Sequence, residues 1–296
     1  MDNLIDINEL SRAQIEDLFD LTERMKRSPR VFSEVMAGRT LIMLFAKPST
    51  RTRLSFESGT TMLGGHAIFL AMEHSQLGRG EPISDTARVM SRYADLIMAR
   101  LFDHDEIVDL ARYADIPVIN GLTDYLHPCQ ALGDLYTLHE RDLHERVAFV
   151  GDGNNNVTHS LMQACAKLGV SCRVAAPAGM QPDQTIRDRV KDADVLVTED
   201  PYEAVEGATA VYTDVFVSMG EEEQRAEILE ALREYQVDQA LMEAATEDAV
   251  FMHCLPAHRG EEVSADVFEG PQSIVFDQAE NRMHVQNAIM LSLVRG

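Results

Sequence analysis

Several things are scarce or missing in this chain. Tryptophan is absent, and lysine occurs only at 26, 47, 167 and 191 among 26 basic residues. No apolar run approaches the roughly 18 residues of a membrane-spanning helix, so no membrane partner is expected. The opening Met1-Asp2-Asn3 is acidic, unlike a secretory leader with its basic and then apolar regions. The four cysteines, at 129, 165, 172 and 254, form no C-x-x-C pair. A chain this long needs no disulfide staples, so reduced thiols and a cytoplasmic location are expected. No cluster has convincing metal-ligand spacing. Basic charge is also scarce, with 49 acidic residues giving a net charge of −23. That balance excludes a general electrostatic footprint for nucleic acid.

The acidic residues are scattered, with Glu221-Glu222-Glu223 the densest run. This is the pattern of an acidic surface on a folded protein rather than of a charged tail. High salt would make such a surface tolerable, because self-repulsion is screened within about 3 Å at 1 M. An ordinary acidic cytosolic enzyme is the alternative.

With 296 residues, 45% of them hydrophobic, the chain suits two domains. Ser11-x-x-Gln14 is a capping box before Ile15, Leu18, Phe19 and Met25, which share one helical face. Strand-like runs at 39–46, 66–70, 95–100 and 117–119 alternate with helical patterns, including a helix over 50–63 closed by Gly64-Gly65. A polar helix over 130–145 precedes a second set of strands at 146–150, 171–175, 193–197, 209–212 and 249–252, and a terminal helix over 278–294. Two rounds of strand–helix alternation predict an α/β chain of two doubly wound parallel-sheet domains, with the active site in the cleft between them. The expected division is 1–127 with the terminal 278–296, and 128–277. In such sheets ligands sit beyond the carboxyl ends of strands.

Ser49-Thr50-Arg51-Thr52-Arg53 lies where a strand turns into a helix. Free N–H groups and the positive dipole end suit a phosphate there, with hydroxyls and the Arg51 fork as further donors. It is not a Walker loop, because G-x-x-x-x-G-K is missing. A capped surface helix with solvated arginines is the alternative.

The segment Lys47-Pro48-Ser49-Thr50-Arg51-Thr52-Arg53 resembles the carbamoyl-phosphate signature of the aspartate/ornithine carbamoyltransferase family. Three further segments agree in order and spacing: His127-Pro128-Cys129-Gln130, Asp214 with Ser218-Met219-Gly220, and His253-Cys254-Leu255-Pro256. The last two resemble the ornithine branch, and the likeness runs along essentially the whole chain.

The resemblance implies transfer of a carbamoyl group from carbamoyl phosphate to the δ-amine of ornithine, giving citrulline and phosphate in either direction, with no cofactor. By the same resemblance, Ser49, Thr50, Arg51 and Thr52 would hold the phosphate. Arg100 would reach phosphate and carbamoyl oxygen, His127 would polarise the carbamoyl C=O, and Gln130 would accept from its NH₂. Gln76 matches a loop residue that completes the neighbouring subunit's site, implying a homo-oligomer built on a trimer; unaided, 75–80 is a Gly-rich surface loop. Arg282 matches a terminal-helix arginine aimed at the carbamoyl oxygen. Asp214 and Ser218 would bind the ornithine α-ammonium, and the Met219 backbone its carboxylate. Cys254 and the Leu255 carbonyl would lie by the δ-nitrogen. The turn 151–156 has one residue more before His159-Ser160 than the common pattern, so Asn156, with Asn155 next, is expected to contact the amino-acid head group. His253 and His258 acquire no role.

A dinucleotide-binding reading of Gly151-x-Gly153 fails, because position 156 is asparagine and no acidic residue follows the next strand at 171–175. A non-catalytic homologue would be expected to lack Arg51, Arg100 or His127, and all three are present. Within the family, transferases of putrescine or acetylornithine are the nearest rivals.

Overall fold

A computed structural model of the protein describes residues 1–217 and 222–295. The chain divides into two compact units, Met1–Gly133 with Asn281–Gly296, and Asp134–Glu280.

In the first unit, strands β1 (Thr40–Phe45), β2 (His66–Ala71), β3 (Leu96–Arg100) and β4 (Val118–Leu122) form a parallel sheet in the order β2-β1-β3-β4. Every residue of β3 and β4 is buried, as expected of parallel strands covered on both faces. Edge strand β2 is largely open, with Ile68 and Phe69 exposed. The helices are α1 (Arg12–Arg27), α2 (Thr50–Met62), α3 (Ile83–Tyr93), α4 (His104–Tyr113) and α5 (Pro128–His139). The capping box at Ser11 and Gln14 is formed, and Ile15, Leu18, Phe19 and Met25 are buried on one face of α1.

In the second unit, β5 (Arg146–Val150), β6 (Ser171–Ala175), β7 (Val195–Thr198), β8 (Ala210–Thr213) and β9 (Val250–His253) form a parallel sheet in the order β7-β6-β5-β8-β9. Its core gathers Val150, Val211, Phe216, Leu232, Phe251 and Phe268, among others. Its helices include α6 (Asn156–Leu168). The terminal helix α7 runs Val275–Arg295, so it begins three residues before the predicted 278.

The predicted helix over 130–145 is shorter. It ends at His139, where the Leu143 N–H folds back to the Leu138 carbonyl and Asp142 takes a left-handed conformation, φ 56°. Aspartate tolerates that region better than most residues. No helix among the described residues is long and apolar enough to cross a membrane.

The strand order reverses between β1 and β3 in the first sheet and between β5 and β8 in the second. These switch points are where open α/β sheets accept ligands.

Candidate active site

At the first switch point, β1 ends at Phe45 and α2 begins at Thr50. Ser49 is the helix cap, its Oγ accepting from the Thr52 N–H at 3.2 Å. Thr52 is buried, Arg51 is half-buried and Thr50 is exposed. Capping uses one of the orphan donors and leaves others at the helix start to face an anion.

Arg100 closes β3 beside Phe45 and is only 6% exposed. Its carbonyl accepts from the Ala46 N–H at 2.8 Å, which ties the end of β3 to the loop leading to Ser49. The ladder from β3 to β4 shifts at Ala99/Arg100. An irregularity of this kind re-aims a side chain at a strand end.

His127 and Gln130, both buried, flank the start of α5, and the His127 carbonyl accepts from the Gln130 N–H. Arg282 comes from α7, is buried, and donates through Nη2 to Thr52 Oγ1 at 3.1 Å. Gly133 packs on it: a Cβ there would lie 3.3 Å from Arg282 Cγ. Burial, then the positive charges of Arg282, Arg100 and Lys47, hold His127 well below the ordinary imidazole pKa. The ring is therefore neutral at neutral pH and can donate one N–H. Burial and Arg100 also lower the pKa of Lys47, against the opposing pull of Asp124. Lys47 sits over the Phe102 ring, 4.6 Å from its centroid. The sequence reading gave Lys47 no role of its own; it entered only as the first residue of the segment Lys47–Arg53.

One buried neutral imidazole under the influence of three cations, beside a helix start, has the electrostatics to accept an anion. It can take a phosphate and steady a developing oxyanion. Gln76 stands apart in this unit, exposed at the head of a short turn over Leu77–Arg79.

The second switch point carries a different chemistry. Asn155 caps α6, its Oδ1 accepting from the Val157 and Thr158 N–H groups at 2.9 Å each, while its Nδ2 donates to the Asp152 carbonyl at 2.7 Å. The amide of Asn155 is thus engaged locally, and Asn156 stands at the first helical position beside it.

Asp214 follows β8. Its Oδ1 accepts from the Val215 N–H and from the Cys254 thiol, each at 2.8 Å. Cys254 follows β9 and is a hydrogen-bond donor here. Leu255, next in the chain, has φ 62°, a costly conformation for a branched residue that its surroundings must hold. The holder is His253. Its Nδ1 accepts from the Leu255 N–H at 2.8 Å, so its other nitrogen carries the hydrogen and donates to Glu262 Oε1 at 3.2 Å. Both side chains are fully buried. His253 and Glu262 are thus positioning residues that the sequence did not reveal, because nothing local says that the two meet. Ser218 and Met219 lie outside the described residues.

Two family profiles match the chain. "Aspartate/ornithine carbamoyltransferase, carbamoyl-P binding domain" covers residues 2–140, and "Aspartate/ornithine carbamoyltransferase, Asp/Orn binding domain" covers 144–293. A protein of Halobacterium salinarum named "Ornithine carbamoyltransferase, catabolic" is 66% identical over 294 residues, 99% of each chain. An ornithine carbamoyltransferase of Carboxydothermus hydrogenoformans is 48% identical, over 99% of this chain and 97% of its own. The solved ornithine carbamoyltransferase of Pyrococcus furiosus superposes with a TM-score of 0.94 at 44% identity, over 99% of this chain and 97% of that one.

Proposed function

This chain belongs to the aspartate/ornithine carbamoyltransferase family, and on that premise we propose how its residues perform the reaction. It is a transferase that moves the carbamoyl group of carbamoyl phosphate to the δ-amine of ornithine, giving citrulline and phosphate, in either direction. The observation that carries the mechanism is the neutral, buried His127 among Arg100, Arg282 and Lys47.

In this reading the first unit binds carbamoyl phosphate. Ser49, Thr50, Arg51 and Thr52 hold the phosphate, and Gln130 accepts from the carbamoyl NH₂. Attack by a neutral amine turns the carbamoyl C=O into a tetrahedral oxyanion. His127, Arg100 and Arg282 donate to it, and Arg282 is oriented for this by Thr52. Collapse of the oxyanion breaks the bond between the carbamoyl carbon and the phosphate oxygen; the proton lost by the attacking nitrogen passes to the departing phosphate, which stays among the same cations. No covalent intermediate is required.

The second unit binds ornithine. Asp214 takes the α-ammonium, with Ser218 assisting. Asn156 and the Met219 backbone take the carboxylate end, with Asn155 setting the start of α6. The Cys254 thiol and Leu255 carbonyl face the δ-nitrogen, fixed by the clamp of His253 and Glu262. A free amine of this class titrates near 10.4, and a cation-rich pocket favours its neutral form.

The active protein is a homotrimer or a multiple of one. Leu54, Met62 and Phe69 are exposed together around a groove of about 870 Å³ that also takes in Ser49 and Arg53, and Ile68 is exposed on the same edge strand as Phe69. A second copy would cover this apolar face, and the exposed Gln76 would then serve a neighbour's phosphate. Salt adaptation and a cytoplasmic setting complete the reading, supported by the charge of −23 and by the relative in Halobacterium.

The test is citrulline formation from carbamoyl phosphate with ornithine, putrescine, acetylornithine or aspartate, at low and at molar salt. Turnover with ornithine alone, rising with salt, is expected. Preferred turnover of another amine would overturn the assignments in the second unit. Mixing inactive Arg51→Ala and Gln76→Ala chains should restore activity if sites are shared; no recovery would overturn the shared site.

A further inference from the structure

We propose a binding site for a borderline divalent cation, of the Zn²⁺ class, at His258, Glu261 and Glu262. These residues offer one imidazole nitrogen and two carboxylate oxygens, all within 4.8 Å of one another. The turn that assembles them is tight. The Glu261 N–H bonds back to the His258 carbonyl and the Gly260 N–H to the Val263 carbonyl, with Gly260 at φ 94°.

The decisive feature is a pair of buried carboxylate oxygens that accept no hydrogen bond among the described residues. Glu262 is fully buried, and its Oε1 is engaged by His253 Nε2 and by the His258 N–H. Its Oε2 is buried with no hydrogen-bond partner among the described residues, and it faces His258 Nδ1 at 3.8 Å. Glu261 repeats the pattern: Oε1 accepts from Arg225, while Oε2 is buried and has no hydrogen-bond partner among the described residues. Burying a carboxylate oxygen without a partner is costly, and such atoms are rare in native proteins unless a water or ion meets them.

A cation meets both oxygens at once. Ligand atoms about 2.0–2.2 Å from one ion stand roughly 3.4 Å apart in tetrahedral geometry and about 4.2 Å apart when opposite. The 3.8 Å between Glu262 Oε2 and His258 Nδ1 lies in that span. His258 and Glu261 are accessible enough to adjust, with side chains 45% and 25% exposed. An imidazole in the set favours Zn²⁺ over Ca²⁺ and Mg²⁺, which prefer oxygen alone. The cation would fix Glu262, and through Oε1 the ring of His253. It would therefore stabilise the turn from His253 to Val263 rather than take part in chemistry.

The test uses chelator-treated full-length protein in molar potassium chloride, which screens exposed carboxylates. Co²⁺ is titrated in, followed by its visible absorption, with Zn²⁺ as competitor. One saturable site is expected, without a thiolate charge-transfer band, and with a raised melting temperature at saturation. His258→Ala and Glu261→Gln should each weaken binding by roughly 10- to 100-fold, and Cys254→Ser should leave it unchanged. Absence of saturable binding, or binding indifferent to both His258→Ala and Glu261→Gln, would overturn the site. A thiolate band lost in Cys254→Ser would do the same, because it would move the ion to Asp214, His253 and Cys254, the second cluster within ligand reach.

Discussion

Arg282 and Thr52 stand 230 positions apart in the chain, yet the guanidinium donates to the threonine hydroxyl at 3.1 Å. Thr52 is in the first turn of α2, and its N–H is held by the Ser49 cap. One contact thus ties the terminal helix to the Ser49–Arg53 turn, and Arg282 Nε remains buried without a hydrogen-bond partner among the described residues. A buried guanidinium N–H kept for the substrate suits an oxyanion donor. Arg282→Met preserves much of the packing and removes the donors. Its kcat should fall about 10²–10³-fold, or about 3–4 kcal/mol, with an unchanged circular-dichroism spectrum. Near-normal turnover would remove Arg282 from the mechanism.

His127 gives a pH signature. Burial, reinforced by Arg282, Arg100 and Lys47, holds its folded pKa well below the ordinary imidazole value of 6.5. Below about pH 6.5 the unfolded chain binds a proton at this residue that the folded chain does not. The contribution of His127 to stability is therefore complete above that pH and is lost as pH falls toward the folded value. Denaturant midpoints should drop on acidification more steeply in the parent than in His127→Asn. In histidine NMR spectra, the His127 ring should not titrate between pH 6 and 8 in the free enzyme, unlike an ordinary imidazole.

Lys47 should limit the alkaline side. Its pKa is lowered, chiefly by burial and then by Arg100, so it loses its charge at a lower pH than an ordinary lysine. Each lost proton removes a cation from the phosphate site, so the KM for carbamoyl phosphate should climb at alkaline pH. Lys47→Arg cannot deprotonate in this range and should flatten that rise. Equal alkaline slopes in the two proteins would exclude Lys47 from phosphate binding.

How much of this was legible in the sequence follows from how local each feature is. The Ser49–Arg53 turn reads directly, because the cap, the hydroxyls and the arginines are consecutive at a strand–helix junction. Asp214 reads as a residue just past a strand. Asn156 was ranked ahead of Asn155 for the head group, although either can cap a helix; the bonds from Val157 and Thr158 place the cap at Asn155. The clamp on Leu255 was invisible. His253 and Glu262 are nine residues apart across an irregular turn, at a spacing that no helical or strand period explains. The terminal helix was expected with the first unit, but the contact between Arg282 and Thr52 joins residues 230 positions apart, and no local pattern pairs them.

Asp214 offers the cleanest separation of the two substrates. Its Oδ1 already accepts from Val215 N–H and the Cys254 thiol, so the carboxylate is held in place and its charge is available to an ammonium. Asp214→Asn keeps a carbonyl oxygen for both internal donors and removes only the charge. A hydrogen bond to a charged partner is worth about 1.5–3 kcal/mol, so kcat/KM for ornithine should fall roughly 10- to 150-fold. The affinity for carbamoyl phosphate, measured by calorimetry without ornithine, should be unchanged. A variant that instead weakened carbamoyl phosphate and spared ornithine would reverse the assignment of the two units, because Asp214 lies at the carboxyl edge of the second sheet and the cation cluster around His127 at that of the first.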